Sequence, residues 1–220
     1  MTAAPPPSGP KAEQKVIAGL ILAGGASSRM APLGIHKALL GYHGRTFLES
    51  IVATLCEAGV DRIIVVLGHS AEEIQGRLAG RLEPARVVIN RDYTRGQTSS
   101  LQVGLNALTA ADGETQAEAL ILCLVDHPTV SAETIRALIQ AFRQSGAPAV
   151  IPTYRNQGGH PVLISRSLFR ELKSLGPDAG ANAVIRKYRD ATRFLEVNDP
   201  GVLVDVDDPE SYFRLSSPGI

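Results

Sequence analysis

Apolar runs alternate with amphipathic stretches along most of this chain. An unbroken apolar run predicts a strand that is buried on both faces, whereas apolar residues at helical spacing predict a helix that covers the sheet. Strand, helix, strand is repeated several times, which is typical of parallel sheets. The pattern therefore predicts an α/β fold, a three-layer sandwich whose mostly parallel sheet is doubly wound. The predicted strands are Val16–Leu22, Arg62–Leu67, Arg86–Asn90, Ala119–Val125 and Ala147–Ile151.

The domain limits follow from composition. Residues 1–15 are rich in proline and alanine and are predicted to form a disordered tail. Residues 16–215 are predicted to form one domain, and residues 216–220 a frayed C-terminus. With 22 basic and 22 acidic residues, the net charge is +0, which disfavours nucleic-acid and membrane partners. Two cysteines without metal-type spacing, together with the lack of a signal peptide or a spanning run, predict a cytoplasmic protein.

The first predicted strand opens into a segment of small residues. Residues 23–28 read AGGASS, and two cations follow, Arg29 and Lys37. Backbone N–H groups at the end of such a strand can wrap a phosphate chain, and the cations add charge where a triphosphate carries it. A turn in which glycine serves only close packing is the alternative. The G-x-x-x-x-G-K-[ST] and G-x-G-x-x-G patterns are absent, which argues against a P-loop and a dehydrogenase-type dinucleotide site.

The segment Leu22–Met30, LAGGASSRM, resembles the L-A-(A/G)-G-x-S-x-R-M-G signature of the molybdenum cofactor nucleotidyltransferases. The resemblance implies a Rossmann-like, nucleotide-diphospho-sugar transferase-like fold. It also implies a loop that holds the triphosphate of an NTP, with Arg29 and Lys37 on the phosphates. Two features depart from the signature: Ala31 replaces its last glycine, and Lys37 comes later than in close relatives.

The fourth predicted strand ends at Asp126-His127-Pro128. A carboxylate at the carboxyl end of a central strand lies where parallel sheets place their active sites, and it can hold Mg²⁺. Asp126 could instead cap the turn at Pro128. The resemblance favours the metal, because the family has its metal-binding aspartate in a D-x-P at this position. His127 is predicted to contact the acceptor or to be an exposed turn residue.

A second polar segment follows the third predicted strand. The residues from Gly96 to Ser100 are predicted to contact the base or ribose, the alternative being a polar loop with serine caps. The family carries N-x-x-x-x-x-G-x-x-S-S-L here, and Asn90, Gly96, Ser99 and Ser100 fit it. The resemblance therefore implies nucleotide contacts for these four residues.

Two later segments resemble the cytidylyltransferase branch of the family. Gly159-His160-Pro161 resembles a stretch over the acceptor, where His160 contacts an acceptor phosphate or serves only the turn. The segment at Asp178 resembles G-D-x-G-A-R, except that Asn182 replaces the arginine. The resemblance thus implies acceptor contacts at these positions.

The last segment, Val202–Glu210, resembles the D-I-D-T-P-E-D ending of the family. Its alternating apolar residues predict a strand end with Asp205 and Asp207 on one face. Two neighbouring carboxylates repel each other unless a cation lies between them, so either can join Asp126 on the metal. An N-cap cluster opening the last helix is the alternative.

The sequence thus predicts a Mg²⁺-dependent nucleotidyltransferase. CMP, or alternatively GMP, passes from CTP or GTP to a phosphate-bearing acceptor, molybdopterin, with a molybdoenzyme or its chaperone as a further partner. The alternatives are a sugar- or polyol-phosphate nucleotidyltransferase and a nucleotide-binding regulatory module without catalysis. The predicted site comprises catalytic Arg29, Lys37 and Asp126; nucleotide-binding Leu22, Ala23, Gly24, Gly25, Ser27, Ser28, Arg29, Lys37, Asn90, Gly96, Ser99 and Ser100; acceptor-binding His127, Gly159, His160 and Asp178; and metal-binding Asp126, Asp205 and Asp207.

Overall fold

The structure, a computed structural model, describes residues 16–60, 62–110 and 116–216. The predicted tail at 1–15 and residues 217–220 of the predicted C-terminus lie outside this range. The strands are β1 Val16–Ala23, β2 Gly41–Tyr42, β3 Arg45–Thr46, β4 Arg62–Leu67, β5 Arg86–Ile89, β6 Ala117–Leu124, β7 Ala149–Tyr154, β8 Gln157–Gly158, β9 Val162–Ser165 and β10 Arg193–Glu196. The helices are α1 Phe47–Glu57, α2 Ala71–Arg77, α3 Gln97–Ala110, α4 Ala132–Ser145, α5 Phe169–Lys173, α6 Ala181–Lys187 and α7 Pro209–Ser216.

The central sheet has eight strands and is mostly parallel. Its order is β10-β7-β9-β6-β1-β4-β5, with β8 paired to β7. β1 lies between β4 and β6 and runs parallel to both, while β9 is antiparallel to β6 and β7. Because β1 and β6 are neighbours and parallel, their carboxyl ends open on the same edge of the sheet.

Helices cover both faces of the sheet, as the strand pattern predicted. On β1, Ile17 and Ile21 pack into a core with residues of α1, α2 and α4. The alternate residues Leu20 and Leu22 pack into a second core with α3, α5 and α6. The predicted doubly wound, three-layer α/β fold is therefore confirmed.

The C-terminal part differs from the prediction in two places. The edge strand β10 was not predicted, and its pattern explains this, because the strand is largely exposed and includes Phe194 at 42%. The strand end predicted around Asp205 and Asp207 is wrong. A 3-10 helix covers Pro200–Leu203, and residues 204–207 carry neither helix nor strand. The inward residue of this segment, Val206, is instead buried in a small third core with Met30 and Phe47.

No helix within the described residues has the length and apolar character that crossing a membrane requires.

Candidate active site

The turn after β1 lies against the loop after β4. The backbone N–H of His69 donates to the carbonyl of Gly24 at 3.1 Å. A Cβ on Gly68 would lie 2.6 Å from that carbonyl oxygen, and a Cβ on Gly24 would lie 2.9 Å from Ser100 Oγ. Both glycines are thus required for close approach. Their packing role does not exclude phosphate binding, since Gly25 and its neighbours line an open cleft.

Two cations and two carboxylates meet beside this turn. Arg29 Nη1 lies 2.6 Å from Asp207 Oδ2, and Lys37 Nζ lies 2.5 Å from Asp207 Oδ1. Lys37 Nζ also lies 3.4 Å from Asp126 Oδ2. The side chain of Lys37 is 9% exposed, whereas that of Arg29 is 69% exposed. The hydrogen bond from Lys37 holds the pKa of Asp207 below its ordinary value.

An acidic group that fits a divalent cation lies next to Lys37. Asp126, His127 and Asp205 each present one ligand atom, and these atoms lie within 4.8 Å of one another. Asp126 Oδ1 is buried without a hydrogen-bond partner among the described residues. Burial, and then the charges of Asp126 and Asp207, raise the pKa of Asp205. An oxygen-rich, self-repelling set with an unpartnered buried atom is what a hard cation would satisfy.

Two histidines lie beside this group. The rings of His127 and His160 are 4.9 Å apart, and each buries an Nδ1 that has no partner among the described residues. Burial lowers the pKa of His127, and it lowers the pKa of His160 to about 4. Both rings are therefore neutral at pH 7, which disfavours His160 as a fixed cation for an acceptor phosphate.

A cleft of about 470 Å³ runs from the glycine turn to Asp126. Among the predicted nucleotide-binding and catalytic residues, Leu22, Gly24, Gly25, Ser27, Lys37, Gly96, Ser100 and Asp126 line it. Ala23, at 1% exposed, lies beneath it. Ser28 and Arg29 lie in the 3-10 helix Ser28–Leu33 that follows the turn, outside the cleft lining. The sequence interpretation missed Tyr93 and Thr94, which also line the cleft, whereas Gln97 lies in the segment predicted to contact the base or ribose.

Asn90 and Ser99 do not line this cleft, but Asn90 is hydrogen-bonded to Ser100, which does. Asn90 is 1% exposed, and its Nδ2 donates to Ser99 Oγ at 2.8 Å and to Ser100 Oγ at 3.0 Å. Its Oδ1 accepts from the N–H of Asp92 at 3.0 Å. These bonds use the amide within the protein, so the geometry gives Asn90 a role in fixing the start of α3. Direct nucleotide contact by Asn90 and Ser99 stays a prediction.

A larger cavity of about 1160 Å³ adjoins the cleft at Gln97 and Leu124. Three of the predicted acceptor residues, Gly159, His160 and Asp178, line it, and so does Asn182. Two arginines that the sequence interpretation did not select, at 186 and 189, line it as well. Arg186 lies one helical turn after Asn182 in α6. This spacing places both residues on one face of the helix, and it could have indicated Arg186 from the sequence.

Comparisons with known proteins agree with this geometry. A family model described as MobA-like NTP transferase domain matches residues 19–192. Nicotine blue oxidoreductase of Paenarthrobacter nicotinovorans is 32% identical over 205 residues, which cover 90% of this chain and 96% of that protein. The structure of Rv0371c from Mycobacterium tuberculosis H37Rv is 30% identical with a TM-score of 0.75, covering 91% of this chain and 97% of the other.

Two further findings are a manganese complex of a relative and a match over part of a longer protein. Rv0371c has also been solved as a complex with manganese, at a TM-score of 0.72 to this chain. The bifunctional IPC transferase and DIPP synthase of Rubrobacter xylanophilus is 35% identical over 121 residues. These are 54% of this chain and 26% of that protein, so the chain spans about a quarter of its length.

Proposed function

This chain belongs to the MobA-like NTP transferase family, and on that premise we propose that it transfers a nucleotidyl group from CTP, or alternatively GTP, to the phosphate of molybdopterin. The observation that carries the proposal is the meeting of Lys37 with Asp126 and Asp207 at the mouth of the glycine turn. Lys37 and Asp126 both line the cleft, and they support the proposal because a triphosphate needs a cation and a metal needs carboxylate ligands.

The triphosphate would lie along the turn from Gly24 to Ser27, where backbone N–H groups meet it. Arg29 and Lys37 would exchange Asp207 for phosphate oxygens, because a triphosphate offers more negative charge than one carboxylate. The nucleoside would extend toward Tyr93 and Gln97, which also line the cleft.

The acceptor would enter from the larger cavity. An oxygen of its terminal phosphate attacks the α-phosphorus and forms a new P–O bond. The bond from the α-phosphorus to the bridging oxygen breaks, and pyrophosphate leaves with the electron pair. The acceptor phosphate is already an anion, so the step needs no covalent protein intermediate and no general base. Positioning and charge neutralisation by Arg29 and Lys37 supply the catalysis.

Asp126 and Asp205 would hold the divalent cation, with His127 as their neighbour. Mg²⁺ is the ion we propose; when bound, it neutralises charge on the phosphate oxygens as the leaving group departs. Asp207 is the least suited of the three predicted ligands, because it is not part of the group of closely spaced ligand atoms that Asp126, His127 and Asp205 form.

The proposal is tested in two stages. Thermal shift with CTP, GTP, UTP and ATP in Mg²⁺ identifies the nucleotide, and we expect CTP to give the largest shift. Pyrophosphate release is then measured with molybdopterin. Arg29→Ala and Asp126→Ala should each lower the rate by about a hundred- to a thousand-fold. Full turnover in both variants would reject the mechanism.

Assays on the same purified protein distinguish two other candidate functions. The partial likeness to a bifunctional IPC transferase and DIPP synthase favours a sugar- or polyol-phosphate acceptor, so pyrophosphate release is also measured with such phosphates. The likeness to nicotine blue oxidoreductase favours a redox reaction, which is measured as oxidation of a reduced nicotinamide with nicotine blue as the electron acceptor and without NTP. Nucleotide binding without either activity would indicate a regulatory module.

A further inference from the structure

A buried histidine links the two halves of the phosphate-binding segment. His36 is 7% exposed, and its ring nitrogen Nε2 lies 2.7 Å from the carbonyl oxygen of Gly25, eleven residues earlier. The other ring nitrogen, Nδ1, accepts the backbone N–H of Ala38 at 3.1 Å. Because Nδ1 accepts a hydrogen bond and a carbonyl oxygen can also only accept one, the ring is neutral with its hydrogen on Nε2.

We propose that His36 is a positioning residue, which holds the ammonium of Lys37 at a fixed distance from the glycine turn. The inference rests on the proposed function of that turn as the triphosphate site. His36 caps the short 3-10 helix Lys37–Leu39 through Nδ1, and its Nε2 is hydrogen-bonded to the carbonyl oxygen of Gly25. One rigid ring therefore connects this helix to the glycine turn. The position of the Lys37 ammonium is thereby set by the same turn that binds the phosphates.

Between these two points the chain is anchored by Met30, which is buried in the third core, and by the ion pair of Arg29 with Asp207. It contains the 3-10 helix Ser28–Leu33 and then Gly34, whose φ is +62°. A second link at the same place is long, since the N–H of Lys37 lies 3.5 Å from Ser27 Oγ. The 2.7 Å bond from His36 is therefore the stronger of these two connections between the turn and Lys37.

The surroundings keep the ring neutral. Burial is the main cause that lowers the pKa of His36, and the charges of His69 and Lys37 act in the same direction, whereas Glu73 and the Gly25 carbonyl oppose it. The ring of His69 is stacked on that of His36 with 6.3 Å between centroids. Protonation would place a hydrogen on Nδ1 opposite the N–H of Ala38, so the cap on the Lys37 helix would be lost.

Two substitutions test separately the hydrogen bonds of His36 to Ala38 and to Gly25. The side-chain oxygen of Asn can replace Nδ1, and Asn is a good N-cap residue, so His36→Asn keeps the cap and loses the link to Gly25. The amide nitrogen of Gln reaches the position of Nε2, so His36→Gln keeps the link. CTP and GTP binding with Mg²⁺ is measured for both variants by titration calorimetry, together with thermal unfolding without nucleotide.

We expect His36→Asn to weaken nucleotide binding about tenfold and His36→Gln to stay within about threefold of wild type. His36→Asn with unchanged affinity would overturn the inference, and so would equal losses in both variants that follow their unfolding temperatures. Wild-type protein that binds no NTP would instead refute the proposed function, and this inference with it.

Discussion

Replacement of Lys37 by Met is the strongest test of the ion pairs that Lys37 forms with Asp126 and Asp207. The substitution keeps the length of the side chain but leaves Asp126 and Asp207 without their shared cation. Removing one partner of a fully buried ion pair costs about 3–5 kcal/mol, whereas exposed pairs contribute at most about 1 kcal/mol. The lysine is 9% exposed and the carboxylates 23% and 29%. We therefore expect a loss of about 2 kcal/mol in the free energy of unfolding, between these two limits.

The assay is urea unfolding at pH 7 in the presence of a chelator. Lys187→Met is the matched control: its ammonium lies 3.0 Å from Glu171 Oε2, but the two side chains are 64% and 33% exposed, so the expected loss is much smaller than that of Lys37→Met. Adding Mg²⁺ or Mn²⁺ should recover part of the loss in Lys37→Met, because a divalent ion neutralises the same carboxylates. A Lys37→Met protein as stable as the control without metal would refute the reasoning.

Three further predictions concern residues 199–207 and the contact that Gly159 makes with them. Asp199 accepts hydrogen bonds from the first turn of α4; burial acts to raise its pKa, but these bonds outweigh burial and lower it. Asp199→Ala should cost about 1–2 kcal/mol in urea unfolding at pH 7. The contribution of Asp199, present above its unfolded pKa of 3.8, should be lost as the pH falls through the folded value, and a loss equally large at pH 3 would contradict this. A Cβ on Gly159 would lie 2.2 Å from the carbonyl oxygen of Val202. Gly159→Ala should thus lower the unfolding temperature and pyrophosphate release together, and an unchanged unfolding temperature would contradict the close contact. Asp205→Asn removes a charge that repels Asp126, so it should raise the unfolding temperature without metal and weaken Mn²⁺ binding in calorimetry. A lower unfolding temperature would show that the carboxylates do not repel each other.

The core of the fold could be predicted because its signals are local. Buried parallel strands are unbroken apolar runs, and β4 was predicted with its observed bounds, Arg62–Leu67. The edge strand β10 has no such run, since it is held by pairing to β7 and leaves most of its surface exposed. The strand predicted at Asp205 failed for a related reason. Alternation there reflects burial of Val206 against Met30 rather than pairing to another strand.

The part of the site at the strand ends could also be predicted. Lys37 and Asp126 are 89 residues apart, and both were predicted as site residues, Asp126 because a carboxylate at the carboxyl end of a central strand lies where parallel sheets place their active sites. The ion pairs of Asp207 depend on how the C-terminal segment crosses that edge, and no sequence pattern encodes this crossing. The link from His36 to Gly25 was missed for the same reason. A lone histidine before a lysine carries no local signal, and its role is visible only once the turn is closed.

We propose that the turn after β1 binds a triphosphate opposite a metal on Asp126. This is tested by a crystal structure with Mn²⁺ and a CTP analogue whose α–β bridging oxygen is replaced by carbon, with the metal located by its anomalous signal. We expect phosphates on the backbone of Gly24 to Ser27, Lys37 moved from Asp207 to a phosphate oxygen, and Mn²⁺ on Asp126 and Asp205. A nucleotide bound elsewhere, or a metal away from Asp126, would contradict it.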